Sequence, residues 1–226
     1  EVCPDWQSPS EECAAMADHP IFTESIRRIR ALLGETGLDP LQQQVLERLV
    51  HSSGDPGLQQ LLRFSEGACE QGLAALQAGA TILTDTAMAA AAVTPMAART
   101  LGTSVRCLLD WAPEVSPQDS TRSAVAMLRA WPELTQVASA KGQPMPVLLV
   151  GSAPTALEQL LDQLEGGAPA PSLVIGMPVG FVGVPESKRR LAATALAQIR
   201  LEGTRGGAGL VAAAANALLR AAQAAS

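Results

Sequence analysis

The chain has no tyrosine, three phenylalanines, three tryptophans, two histidines and four cysteines among its 226 residues. With so few large rings, the apolar half of the composition falls largely to alanine, so its helices must pack closely on small side chains. Two histidines, and cysteines (Cys3, Cys13, Cys69, Cys107) without metal-type spacing, argue against a zinc site. Cys69 and Cys107 lie in apolar patterns and read as small buried residues. No basic excess exists: the net charge is −6, which argues against a nucleic-acid partner. No apolar stretch reaches the ~20 residues that span a bilayer; Gly209 to Leu219 falls well short. Without a charged-then-apolar leader the expectation is a cytoplasmic protein that does not enter membranes.

What is present is a globular composition, long enough to bury roughly three-quarters of its unfolded surface. Residues 1–18, with Pro4, Pro9 and several acids, read as a loose tail, and residues 19–226 as one domain. A helix is expected from Ile21 to Leu33, closed by Gly34, with Ile26, Ile29 and Leu33 on one face. Asp39-Pro40 opens a second helix, as an acid cap followed by a first-turn proline. It turns Val45, Leu46, Leu49 and Val50 inward and stops at Gly54. Asp55-Pro56 restarts the chain in the same way, and a further helix follows from Ser65 to Ala78.

Beyond Gly79 five short apolar runs recur, at Thr81–Thr84, Ser104–Leu109, Pro146–Val150, Leu173–Gly176 and Gln198–Leu201, each separated by a helical pattern. Strands alternating with helices pair in parallel through right-handed crossovers. The expected fold is therefore α/β: a three-layer sandwich with a mostly parallel five-stranded sheet, flanked by helices and preceded by a helical segment. Such sheets bind ligands beyond the carboxyl ends of their strands. There the sequence places Thr84-Asp85, Gly151 to Thr155, Gly176 to Gly180 and Gly203 to Gly207.

Six segments resemble the precorrin-8X methylmutase (precorrin isomerase) family. They are His19-Pro20-Ile21 with Ser25; Val50-His51-Ser52-Ser53-Gly54-Asp55; Ile82-Leu83-Thr84-Asp85 with Met88; Thr121-Arg122-Ser123; Gly151 to Leu157; and Gly176 to Gly183 with Glu186-Ser187-Lys188. Gly206-Gly207 and Asn216-Ala217-Leu218 extend the match, which covers about residues 19 to 220. The resemblance implies a homodimeric isomerase of corrin (vitamin B12) biosynthesis with a pocket for a carboxylate-rich tetrapyrrole. It implies transfer of a methyl group from C11 to C12 of precorrin-8X, giving hydrogenobyrinic acid or its cobalt counterpart, with no separate cofactor and no metal. Four positions depart from the family pattern. Ser152 stands for an asparagine, Thr204 for an arginine, Ala208 for a serine, and alanine for a glycine within Ala90–Ala92. These departures motivate a rival reading as a paralogue that binds a corrinoid without turnover.

His51 matches the family's catalytic histidine. It falls in the last turn of a helix, where free carbonyls and the dipole favour an imidazolium suited to general acid duty; the plain alternative is a capping histidine. Arg122, in a first turn capped by Asp119 or Ser120, gains nothing from the dipole and is better explained by an anionic partner. Ser152 reads equally as a cap or a contact. Thr155 has capping-box spacing with Glu158, and the amides at that junction remain available to a substrate carboxylate. Gly180, Gly206 and Gly207 make turns and let amides reach a ligand; Asp85 orients a loop or touches substrate. Lys188 opens a Lys-Arg-Arg run that is solvated by default, though the family match marks Lys188 itself as a contact. Ser25 matches a position near the pocket, Arg205 stands beside the missing arginine as its substitute, and Met88 reads as packing. A nucleotide enzyme is disfavoured, since no glycine turn has dinucleotide or P-loop spacing.

Overall fold

The computed structural model describes residues 19–225; the expected tail, with Cys3 and Cys13, lies outside them. Pro20–Leu33 (α1) and Pro40–Ser53 (α2) form the helical lead-in. The Asp39 carboxylate caps α2 by accepting from the Leu41 and Gln42 amides, both at 2.9 Å. Val45, Leu46, Leu49 and Val50 are all buried, as their spacing requires.

Asp55-Pro56 does not start another α-helix. It makes one 3₁₀ turn, Pro56–Gln60, which delivers the chain into a strand at Leu62–Phe64 (β1). Then follow Ala68–Gln77 (α3), Ile82–Thr84 (β2), Ala87–Arg99 (α4), Val105–Cys107 (β3), Arg122–Ala140 (α5) and Val147–Val150 (β4). Pro154–Glu165 (α6), Leu173–Gly176 (β5), Val184–Ala192 (α7), Gln198–Leu201 (β6) and Ala208–Ala224 (α8) complete the order. The sheet has six strands in the order β1-β6-β5-β4-β2-β3. Five are parallel and correspond to the expected runs. The sixth, β1, is antiparallel at the edge, with Leu62 opposite Leu201 and Phe64 opposite Ile199.

Alternation along the strands builds two cores, because successive side chains point to opposite faces. Ile82, Val147, Leu149, Leu173 and Ile175 join the core beneath α2, α3, α4 and α8. Leu83, Leu148, Val150 and Val174 join the core beneath α5, α6 and α7, around the fully buried Trp131. Helix α8 is the hub of the first layer, packing on α2, α3 and α4. A run of alanines, with Ala212 to Ala215 all buried, lets its neighbours come close. On the edge strand β3, Cys107 is only partly buried, unlike Cys69. Met88 is exposed at the start of α4 rather than packed. Among the described residues no helix is long and apolar enough to cross a membrane.

Strand order reverses between β2 and β4, the switch point where open α/β sheets leave a crevice. The loops above this edge touch backbone to backbone. A side chain at Gly151 would approach the Ala208 backbone to 2.7 Å, and one at Gly206 would run into the Met177 carbonyl oxygen. Gly151→Ala should therefore cost about 3 kcal/mol or more, since backbone cannot move aside as a rotamer can. Urea unfolding followed by circular dichroism checks this; an unchanged midpoint would refute the close approach.

Candidate functional site

The site begins where α1 crosses the end of α2. His51 lies in the last turn of α2, which Gly54 closes by donating its amide to the Val50 carbonyl at 2.8 Å. Its Nδ1 is 2.8 Å from the Ser25 hydroxyl of α1. The Phe22 ring meets the imidazole edge-on, 5.0 Å between centroids. Ser25 thus reaches the histidine itself, fixing the ring's orientation and leaving Nε2 as the nitrogen available to a ligand. The helix end does not decide the protonation state in the way the sequence implies. Partial loss of water around the ring, and then the nearby Arg48 charge, push His51 below its usual value.

Asp55, four residues on, accepts from Arg205 Nη1 at 2.9 Å. Arg205 is therefore tied to the loop that follows His51. The same glycine loop is held from beneath by Lys188, which is buried rather than solvated. Its ammonium donates to the Gly203 carbonyl at 2.9 Å and the Arg205 carbonyl at 2.6 Å. Burial lowers its pKa to about 8. Gly180 donates to the Thr204 carbonyl at 3.0 Å and Gly207 to the Met177 carbonyl at 2.8 Å. Val179 donates to the Gly151 carbonyl at 3.2 Å, so the loops after β4, β5 and β6 form one laced rim.

At the switch point the amides of Gly151, Ser152 and Ala153 are already taken. All three donate to Asp85 Oδ2, at 3.0, 2.6 and 2.8 Å. Asp85 is 1% exposed, and its other oxygen has no protein partner. Burial raises its pKa, outweighing the backbone amides, its own among them, that lower it. The junction thus carries its own carboxylate where the sequence left room for a substrate's. Asp85 is a loop-orienting residue, and Ser152 takes part through its backbone.

Two capping assignments change. Helix α5 is capped by Thr121, whose hydroxyl accepts from the Ala124 amide at 3.1 Å, not by Asp119 or Ser120. Helix α6 has Ala153 at its cap position and no side-chain cap. Thr155 instead shares hydrogen bonds with Thr121 Oγ1 at 2.7 Å and Ser123 Oγ at 3.3 Å, and Glu158 is drawn away to Arg190 at 2.6 Å. The N-terminal ends of α5 and α6 therefore meet in a three-hydroxyl cluster. Arg122 begins α5 beside them, exposed, with Nε donating to the Pro113 carbonyl at 2.8 Å.

The structure brings His51 together with Ser25; Arg205 with Lys188; Gly180 and Gly207 with the β5–β6 loops; and Asp85 with Ser152. Thr155 joins Thr121 and Ser123, while Arg122 contacts none of the other expected site residues directly. Sequence reasoning passed over Phe22 and Arg48. Each lies three residues before a site residue, Ser25 and His51 respectively, and helical spacing was the signal that marks them.

The sequence model for precorrin-8X methylmutase matches residues 20–221. A precorrin-8X methylmutase of Pseudomonas aeruginosa is 40% identical over 207 residues, covering 88% of this chain and 93% of its own length. A cobalt-precorrin-8 methylmutase of Synechocystis is 32% identical over 216 residues, covering 89% and 95%. The crystal structure of a Thermus thermophilus precorrin-8X methylmutase superposes with a TM-score of 0.76 at 40% identity, covering 91% of this chain and 96% of that one.

Lys188 supplies a test of the rim. A lysine whose folded pKa is depressed destabilises the fold while charged, and that cost is relieved as pH rises from about 8 towards 10.5. The contribution is therefore present above the unfolded value and lost as pH falls through the folded one. Lys188→Met should be less stable at pH 7, having left two carbonyls unpaired, and should lack this rise between pH 8 and 10.5. Urea titrations of both chains across that range measure it, and parallel pH profiles would contradict the assignment. On fold, motifs and relatives together, the chain belongs to the precorrin-8X methylmutase family, isomerases of cobalamin biosynthesis.

Proposed function

We propose that this isomerase moves a methyl group from C11 to C12 of precorrin-8X, yielding hydrogenobyrinic acid or its cobalt counterpart, with His51 as the acid. The observation that carries this is the Ser25–His51 pair at 2.8 Å on an exposed helix end. A hydroxyl at Nδ1 holds the ring in register, and Nε2 donates a proton or hydrogen bond to the macrocycle's conjugated system. The C11–methyl bond breaks as the C12–methyl bond forms, so the shift is internal to the substrate and requires no separate cofactor. The protein positions and polarises the substrate rather than bonding to it.

The carboxylate-rich rim of such a substrate suits the remaining candidates. Arg122 offers a fork at the meeting of two helix N-termini, where anions are favoured. Arg205, Gly180, Gly206 and Gly207 bound the same edge of the sheet. The departures from the family pattern leave this reading intact, because two of the positions act through backbone. Thr204 contributes its carbonyl and Ser152 its amide, while Ala208 is buried against the loop after β4. The working form is a cytoplasmic homodimer. Phe181 and Val182 support an interface, standing 86% and 89% exposed at the tip of the loop after β5. Sedimentation should give twice the chain's 23.4 kDa.

The test is the change in visible absorbance as precorrin-8X is converted. His51→Ala should lower kcat by roughly 10²-fold or more, the scale of a lost general acid. Ser25→Ala should lower kcat more than it raises KM, since it disturbs the ring and not the grip. Because His51 sits below its usual 6.5, kcat/KM should decline through a pH lower than that value as the acid loses its proton. Turnover by His51→Ala at the wild-type rate would remove the histidine from the mechanism.

A further inference from the structure

Thr155 stands in the first turn of α6 but spends its hydroxyl on another helix. It bonds Thr121 Oγ1 at 2.7 Å and Ser123 Oγ at 3.3 Å, and those two hydroxyls are 3.2 Å apart. Thr121 also caps α5, accepting from the Ala124 amide at 3.1 Å. Thr121 and Ser123 are the residues on either side of Arg122, so this triangle fixes the backbone from which that side chain springs. A second hold acts further out, where Arg122 Nε donates to the Pro113 carbonyl at 2.8 Å. Pro113 closely follows Trp111, which is itself fastened to α5. The Trp111 indole donates to Glu133 at 2.8 Å, and its carbonyl accepts from Arg129 Nη1 at 3.3 Å. Nη1 and Nη2 of Arg122 take no hydrogen-bond or ion-pair partner among the described residues.

An exposed arginine ordinarily samples many rotamers and gives up that freedom when it grips a ligand. Arg122 is held at its root and again at Nε, so much of that loss precedes binding. With Nε engaged, the open edge is the one between Nη1 and Nη2, which meets a carboxylate end-on through two parallel bonds. The ordinary use of a hydroxyl at a helix start is to cap that helix. Thr155 gives its own to α5 instead, and α6 goes without a side-chain cap. We propose that Thr155 is a positioning residue, acting through Thr121 and Ser123 to aim the Arg122 fork at a carboxylate arm of the macrocycle. The inference rests on the reading of the substrate given above, and it changes the part of Thr155 from a contact to the support of one.

The test is a double-mutant cycle, read by equilibrium titration of the full chain with hydrogenobyrinic acid and followed by its visible spectrum. Arg122→Gln should raise Kd roughly ten-fold, the scale of one lost charged hydrogen bond. Thr155→Val, which keeps the shape and loses the hydroxyl, should raise Kd roughly five-fold, the scale of freeing one long side chain. Thr155→Ser should bind as the wild type. In the Arg122→Gln background Thr155→Val should add nothing, because the fork it aims is gone. In turnover of precorrin-8X its loss should fall on KM more than on kcat. Should Thr155→Val melt early, Ser123→Ala removes only the 3.3 Å tie and should show a smaller loss, equally silent beside Arg122→Gln. Losses that multiply in the double variant, or wild-type affinity in folded Thr155→Val or Arg122→Gln, would overturn the inference while leaving the enzyme assignment standing. Failure of the wild type to bind the acid at all would overturn the substrate reading and the inference with it.

Discussion

One buried carboxylate organises the working edge of this molecule. Asp85 leaves β2 at the point where strand order reverses, and a single oxygen receives three consecutive amides from the turn after β4. In many open α/β folds that crevice is where an anionic ligand sits. Here the protein sets its own carboxylate in that place, so the turn is held without help from a ligand. His51 and Ser25 stand at the junction of the two lead-in helices, and Arg122 and the hydroxyl cluster stand on the far side of the turn.

The intervening rim is built from backbone. Lys188 reaches up from α7 to two carbonyls, Met177 accepts from Gly207, and Gly151 comes against α8 so closely that a methyl group has no room. Such a rim carries its contacts on amides and carbonyls, as Ser152 does with its amide and Thr204 with its carbonyl, so the lacing does not depend on those side chains. It leaves no room for a side chain at the points of closest approach, Gly151 and Gly206.

Much of this was legible in the residues. The inward faces of α1 and α2 followed from helical spacing, and five strands followed from short, nearly continuous apolar runs. Strand β1 was not legible: it spans three residues with Arg63 at its centre, and its pairing is supplied entirely by β6, far along the chain. The roles of Lys188 and Thr155 were also hidden, for a related reason. A charge run reads as solvated and a Thr-x-x-Glu spacing reads as a cap until a distant element claims the side chain, the Gly203–Arg205 loop in one case and Thr121 in the other. His51 was found through its neighbours in sequence, but Phe22 meets its ring only because α1 crosses α2, and the Arg48 charge reaches it from one turn earlier on α2.

The placement of α8 has a consequence for how the chain is made. Helices α2, α3 and α4 close their core on α8, and β1 pairs with β6, so residues 40–99 depend on partners at 198–224. Loop closure of that length is slow, and apolar surface waiting for it is open to wrong partners. During synthesis the leading half therefore emerges with its core unfinished, and the order of translation runs opposite to the order in which that core can be completed. A chain that stops before residue 198 lacks β6 and α8 and leaves the inner faces of α2, α3 and α4 uncovered, apolar surface of the kind that chaperones meet.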